Sequence, residues 1–238
     1  MNKENIMFGI IGLVAGLVIG FVAANSVNRN AMTSSTEMSG MSQNSNVPPG
    51  HPDISGMNPQ SPDAMANMPQ VKEALQKAKD APNDYDAQLK AALFYYQINK
   101  LDEAIETVTR ANKLKPEEVQ PLVVLGNIYF DMEKYEDAEK WYAEALKKTP
   151  DDISVRTDFG LTFVLRGSPN YDRAIEEFDK SLKIDPKHLQ TLQNLTVAYT
   201  KKGDAANAKA TLAKISEIDA TNASIAKLQT EIDNIGKK

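Results

Sequence analysis

The chain has 238 residues, of which 42% are hydrophobic and 25% charged, a composition typical of globular proteins. Its formal net charge of -5 argues against a nucleic-acid-binding surface, because affinity for phosphates depends on clustered Lys and Arg. The chain has no cysteine, which excludes disulfides, thiolate metal ligands and cysteine nucleophiles.

An apolar run without a single charge, residues 6–24, follows a short tail at residues 1–5. As a helix it would be about 28 Å long, close to the thickness of a bilayer's hydrocarbon core. The run therefore predicts an N-terminal transmembrane anchor, with a cleaved signal peptide as the alternative. Gly12, Gly16 and Gly20 form a stripe of small residues that would let this helix pack against a second copy, although glycine is also common in membrane helices.

Residues 25–68 are rich in Ser, Asn and Pro and show no apolar periodicity, so they are predicted to be a disordered linker. Six of the nine methionines lie there, together with His51. Thioether and imidazole groups bind copper, which makes Met38, Met41 and His51 candidate metal ligands. The alternative is a polar tether that binds no metal, and no cofactor is predicted.

A period of 34 residues begins after the linker. Three series of residues repeat with this period and share one two-residue insertion. They are the prolines Pro82, Pro116, Pro150 and Pro186, the alanines Ala104, Ala138, Ala174 and Ala208, and the aromatic residues Tyr95, Tyr129, Phe163 and Tyr199. Such self-similarity predicts a repeat architecture.

The pattern within one period resembles the tetratricopeptide repeat (TPR), W-x2-L-G-x2-Y, then A-x3-F, then P. The best match, with Leu in place of Trp, consists of Leu122, Leu125, Gly126, Tyr129, Ala138, Tyr142, Ala145 and Pro150. The resemblance implies an all-α solenoid of helix-turn-helix units. It also implies a protein that binds other proteins and is not an enzyme.

The TPR domain is predicted to span residues 69–222. A half-unit at 69–84 precedes four units, at 85–118, 119–152, 153–188 and 189–222, and residues 223–238 form a cap helix with an apolar stripe. That stripe consists of Ile225, Leu228, Ile232 and Ile235. The first unit departs from the pattern at Gln88, Ala91 and Ala92, and the predicted N-caps of second helices are Asp102, Asp172 and Asp204.

TPR proteins resemble one another in presenting a concave groove lined by the first helix of each unit, where a partner segment binds. The predicted lining residues are Leu89, Leu93, Tyr96 and Gln97; Val123, Asn127, Phe130 and Asp131; Thr157, Asp158, Leu161, Val164 and Leu165; and Gln193, Asn194, Val197, Thr200 and Lys201. Val123 and Asp158 stand where a carboxylate-clamping TPR has basic or amide residues, which argues against that subclass. The mixed apolar and amide surface suits an extended peptide or an amphipathic helix. For several of these residues, Leu93 and Leu161 especially, packing between units is the alternative.

The chain has no phosphate-binding loop, no H-E-x-x-H and no G-x-S-x-G, and His188 is predicted to be an exposed turn residue. The sequence predicts a non-catalytic scaffold tethered to the bacterial inner membrane by a single span, with its TPR domain in the periplasm. There it would aid assembly of an envelope complex. The alternative functions are copper handling by the linker and, by analogy with TPR factors that hold apo-cytochrome, a role in cytochrome c maturation.

Overall fold

The computed structural model of the protein describes residues 61–237. Within that range the chain forms eleven α-helices and no strand. In chain order the helices are α1 (Pro62–Ala66), α2 (Pro69–Asp80), α3 (Tyr85–Gln97), α4 (Leu101–Leu114), α5 (Gln120–Asp131), α6 (Tyr135–Lys148), α7 (Ile153–Leu165), α8 (Tyr171–Ile184), α9 (Leu189–Lys202), α10 (Ala205–Ile218) and α11 (Ile225–Asp233).

The helices pair as a TPR solenoid requires, and the predicted fold is confirmed. Each of the four units is a pair of helices in contact: α3 with α4, α5 with α6, α7 with α8 and α9 with α10. Every second helix also contacts the first helix of the next unit, so that the pairs form one continuous array. The first helices of neighbouring units contact one another as well, α3 with α5 and α7 with α9.

Small residues set the spacing between the two helices of a unit. The four alanines of the repeated series, one in each second helix, are fully buried. Gly126 and Gly160 lie against the rings of Tyr142 and Phe178, each in the second helix of the same unit. A side chain at either glycine would meet the ring, so these helix pairs can approach closely only because the position is glycine.

Some residues of the predicted linker, which ends at Met68, are helical in the structure. Residues Pro62–Ala66 are helical, because the side chain of Ser61 accepts a hydrogen bond from the Ala64 N–H and proline stands at the first helical position. This short α1 contacts both α2 and α3. The first helix of a complete unit likewise contacts its own second helix and the first helix of the next unit. Helix α1 is therefore a truncated first helix of the predicted half-unit.

Gln88, which stands where the repeat pattern has a bulky residue, forms hydrogen bonds with the preceding half-unit. Its side chain is fully buried, and its Nε2 donates to the carbonyl oxygens of Ala78 at 2.6 Å and Ala81 at 3.3 Å. These carbonyls belong to the end of α2, where helical carbonyls lack partners within the helix. Gln88 thus joins α2 to the first complete unit.

Two of the three predicted N-caps of second helices are not caps in the structure. Asp204 does cap α10, accepting from the Asn207 N–H at 3.1 Å. Asp102 and Asp172 lie instead within the first turns of α4 and α8, because each of these helices begins one residue before the aspartate. Negative charge is stabilised there by the positive end of the helix dipole.

The cap helix α11 ends at Asp233, two residues before the predicted stripe does. Leu228 and Ile232 are buried against the last unit, whereas Ile235 packs there from beyond the helix.

The predicted anchor with its glycine stripe, Gly12, Gly16 and Gly20, lies outside the described residues, as do Met38, Met41 and His51. Among residues 61–237, no helix combines the length and the hydropathy needed to cross a bilayer.

Candidate functional site

The candidate site is the surface of the first helices α3, α5, α7 and α9, here called the groove face. Most of the predicted lining residues on it are at least partly accessible. Leu165 is the most open of its large apolar residues, with 43% of its surface exposed. The half-buried ones are Leu93, Gln97, Val123, Asn127, Phe130, Asp131, Asp158, Leu161, Gln193, Asn194, Val197 and Thr200, and Lys201 is exposed.

Four predicted lining residues are buried. Thr157 has no exposed surface, and Val164, Leu89 and Tyr96 are at most 8% exposed. The hydroxyl of Thr157 donates to the Ile153 carbonyl at 2.7 Å, and its Oγ1 lies 2.6 Å from Oγ1 of Thr191 in α9. The prediction that Thr157 contacts a partner is therefore wrong, because the residue joins the third and fourth units.

The polar residues of α5 are held by two tyrosine hydroxyls. The hydroxyl of Tyr96 in α3 donates to Oδ2 of Asp131 at 2.7 Å, and that of Tyr142 in α6 donates to Oδ1 of Asn127 at 2.8 Å. The repeat pattern includes Tyr142 but does not predict its hydrogen bond to Asn127, because that bond depends on how the two helices pack. Both hydrogen bonds orient the polar side chains of α5.

Asp158 of α7 is the most perturbed acid on the groove face. Burial, followed by the nearby charges of Asp152 and Asp131, raises its pKa to about 7. Its Oδ1 accepts from Nε2 of Gln190 in α9, but at 3.4 Å this hydrogen bond is long. Burial is also the main cause that raises the pKa of Tyr142, with the charge of Asp158 next. Near neutral pH the carboxyl group of Asp158 therefore exists partly in its neutral form.

The fourth unit uses its predicted lining residues differently. Nε2 of Gln193 donates at 3.0 Å to both Oδ1 of Asn222 and Oγ of Ser224, which ties α9 to the turn before α11. Among the described residues, the buried Nδ2 of Asn194 has no hydrogen-bond partner. Gln193 is thus committed to the fold, while Asn194 retains an unused donor.

His188 caps α9 and is half-buried, which corrects the prediction of an exposed turn residue. Its Nδ1 accepts from the Thr191 N–H at 3.4 Å and lies 2.7 Å from the Thr191 hydroxyl oxygen. The Thr191 side chain is fully buried, and its contact with His188 belongs to the cap of α9. Across residues 61–237, no group of three or more His, Cys, Asp and Glu side chains is placed to hold a metal ion.

The remaining apolar side chains form the accessible part of the groove face. They are Leu93, Val123, Phe130, Leu161, Leu165 and Val197, spread over all four first helices. Phe130 is oriented by an edge-to-face contact with Tyr135, whose ring centre is 5.3 Å away. This surface offers apolar contacts beside amide and carboxyl groups, as a peptide-binding groove does.

Two family models match the chain. The one described as the middle TPR-like domain of cilia and flagella-associated protein 70 matches residues 122–233. The one described as anaphase-promoting complex, cyclosome, subunit 3 matches residues 71–145.

Curated relatives are similar over part of their length. The DnaJ homolog subfamily C member 7 homolog of Schizosaccharomyces pombe is 28% identical over 117 residues, which are 45% of this chain and 24% of that protein. The human intraflagellar transport protein 88 homolog is 27% identical over 174 residues, which are 61% of this chain and 21% of that protein. The chain therefore spans about a quarter or less of the curated relatives it matches.

Solved structures show the same fold at low identity. A crystal structure of MamA aligns with a TM-score of 0.59 at 23% identity, covering 65% of this chain and 89% of that one. MamA 41-end from Desulfovibrio magneticus RS-1 aligns with a TM-score of 0.59 at 18% identity, covering 68% and 93%. Identities this low bear on the fold alone. With the repeat period and the paired helices, the match to a TPR-like family model over residues 122–233 shows that this part of the chain is a tetratricopeptide-repeat array.

Proposed function

We propose that this protein is a membrane-tethered adaptor whose groove face binds an extended segment or an amphipathic helix of a partner protein. A TPR domain supports a role as a scaffold for protein–protein interaction. The observation that carries the proposal is the row of partly uncovered apolar residues on consecutive first helices, with Leu165 at 43% exposure. TPR families typically act without catalysis, and the proposal assigns no chemical step to the chain.

The apolar run at residues 6–24 supports the tether. We propose a single span in the inner membrane of a bacterium, with the TPR domain in the periplasm. A linker of the length predicted for residues 25–68 would have a root-mean-square reach of roughly 35–40 Å. The adaptor would hold a partner near the membrane during assembly of an envelope complex.

Site-specific photocrosslinking in the full-length membrane protein tests this proposal. A photoreactive residue replaces Leu165 on the groove face or, as the control, Lys147, an exposed residue of the second helix α6. We expect a discrete crosslinked partner from position 165 that is absent from position 147. Substituting Leu161→Glu in the first variant should abolish the crosslink, because the charge disrupts the same apolar row.

Deletion of residues 25–60 tests whether the partner binds to the groove face or to the linker. The crosslink from position 165 should persist in this variant. A partner retained by the linker alone, or equal crosslinking from both positions, would contradict binding at the groove face.

A further inference from the structure

A cleft between the second helices α8 and α10 shares no residue with the groove face. Its volume is ≈ 370 Å³. Leu195 and Tyr199 of α9 line it together with Leu182 of α8, which gives the cleft apolar surface. Lys183 of α8 and Lys214 of α10 also line it. The cleft thus combines apolar side chains with two ammonium groups.

The repeat explains why this space is open. Thr211 of α10 occupies the position that Glu177 holds in the third unit and Trp141 in the second. Glu177 is 1% exposed and Trp141 is packed on the hydrophobic core, so in both units a large side chain fills this place. Thr211 is smaller, and its hydroxyl is engaged with the Asn207 carbonyl at 2.9 Å.

The same comparison identifies a missing charge. In the third unit the Glu177 carboxylate pairs with Nζ of Lys180 at 2.9 Å. Lys214 is the counterpart of Lys180 in the fourth unit, but Thr211 stands where the carboxylate would be. Asp179 is the one acid among the residues that line this cleft, and it lies near both Lys183 and Lys214, which lower its pKa against the larger effect of burial. Two cations therefore face one carboxylate.

A second cleft, of ≈ 150 Å³ between α2 and α4, has Thr107 at the same repeat position. Its charges are arranged differently, because Arg110 pairs with Glu106 at 2.9 Å and Glu103 also lines the space. Lys79 lines the same space, so two cations are balanced by two acids there. The excess of positive charge is thus a property of the cleft between the third and fourth units.

We propose that the cleft between α8 and α10 is a second binding site, which takes an aromatic side chain and a carboxylate presented together by a protein partner. The aromatic group packs against Leu195 and Tyr199, as Trp141 fills the equivalent place in the second unit. The carboxylate pairs with Lys214 and Lys183, as Glu177 pairs with Lys180. The partner supplies the two kinds of side chain that the chain itself uses at this position, and the site is independent of the groove face.

The test uses single thiols, since the chain has no cysteine of its own. Ala210→Cys places a thiol in the wall of the cleft, and Lys140→Cys places one at the same repeat position of the second unit. Each full-length variant is equilibrated with two disulfide probes that carry the same indole group, one ending in a carboxylate and the other in its neutral amide. Mass spectrometry measures the fraction of protein modified by each probe.

At Ala210→Cys we expect a preference of about ten-fold for the carboxylate probe, the size of one charge-assisted hydrogen bond. Lys140→Cys should show no preference, and Lys183→Ala with Lys214→Ala should remove it from Ala210→Cys. Equal modification by both probes at Ala210→Cys, or the same preference in both single-thiol variants, would overturn the proposal. So would a preference that persists without the two lysines.

A competition arm tests the source of the ligand. N-acetyl-tryptophanyl-glutamate amide carries both side chains on a peptide backbone and should slow modification of Ala210→Cys by the carboxylate probe. Free indole-3-propionate serves as the comparison. Protection by the free acid without protection by the peptide would overturn the assignment to a protein partner.

Discussion

Gly126 of α5 lies so close to Tyr142 of α6 that a Cβ atom built on the glycine would be 2.5 Å from Cε1 of the ring. Gly160 and Phe178 repeat this relationship in the third unit, at 2.6 Å. The first and fourth units use other pairs at these positions, Ala92 with Val108 and Thr196 with Leu212, all of them buried. A larger residue in the first helix thus accompanies a smaller one in the second.

This pairing predicts that Gly126→Ala destabilises the domain by about 1–3 kcal/mol, the usual cost of overpacking. Tyr142→Leu in the same chain should recover part of the loss, since it recreates the kind of pair found in the fourth unit. Chemical denaturation of the single and double variants measures the coupling. Gly167→Ala is the control, because nothing lies within 4 Å of the added Cβ. Additive effects of the two substitutions would show that the ring does not set the helix spacing.

A second prediction concerns the buried ion cluster around Glu177 of α8. Its carboxylate is 1% exposed and is bound by Arg156 at 2.5 Å and by Arg173 at 2.6 Å. Glu177→Ala should cost about 3–5 kcal/mol, because it leaves the largely buried Arg156 without its partner. Glu176→Ala removes the neighbouring acid, which is 51% exposed and pairs with Arg173 and Lys180, and should cost at most about 1 kcal/mol. Similar losses in the two variants, measured by urea denaturation, would refute this account of the cluster.

The third prediction is that Gln88→Leu loosens α2 selectively. The substitution leaves the Ala78 and Ala81 carbonyls without their side-chain donor, at a cost of about 1–3 kcal/mol. Hydrogen exchange followed by mass spectrometry should show faster exchange in residues 69–80 than in the later units. Gln76→Leu is the control, because Gln76 is an exposed residue that bonds only Asp80 in its own helix. Uniformly faster exchange along the chain would mean that Gln88 does not act locally.

The fourth prediction follows from the raised pKa of Asp158. The pKa of about 7 means that the folded state holds this proton up to about pH 7, whereas an unperturbed aspartate has a pKa of 3.8. The group's stabilising contribution is therefore fully present below about pH 4 and is lost as the pH rises towards about 7. Asp158→Asn, which stays neutral, should raise stability at about pH 8 relative to the wild type and have a smaller effect at about pH 5. Urea denaturation midpoints at the two pH values measure the difference.

Asp204 provides the opposite case as a control. Hydrogen bonds from the side chain and backbone of Asn207 lower its pKa, so its contribution is present at high pH and lost as the pH falls. Asp204→Ala should therefore reduce stability at about pH 8, where Asp158→Asn increases it. The same direction of change in both variants would contradict the assigned pKa shifts.

The helical repeat was predictable from the chain because its signals are local and recur. The buried alanines and the aromatic series have one period, so the sequence within each unit indicates how its two helices pair. Features at the ends of the array were harder to predict, because they occur once. The helix α1 has a proline-containing sequence like the linker before it, and its contacts with α2 and α3 cannot be inferred from any repeated pattern.

The groove face shows most clearly that the sequence predicts where a residue lies but not how exposed it is. Val123 and Thr157 hold the same repeat position, yet Val123 is half-buried and Thr157 has no exposed surface. Thr157 is covered because the hydroxyl of Thr191, 34 residues later, lies 2.6 Å from its own.

The amino-acid sequence by itself determined the helices, their repeat register and the face on which a partner is expected, because each depends on residues within one unit. The tertiary structure alone decided which side chains on that face are accessible and where a cleft opens between α8 and α10. Both depend on the size of side chains contributed by the neighbouring unit.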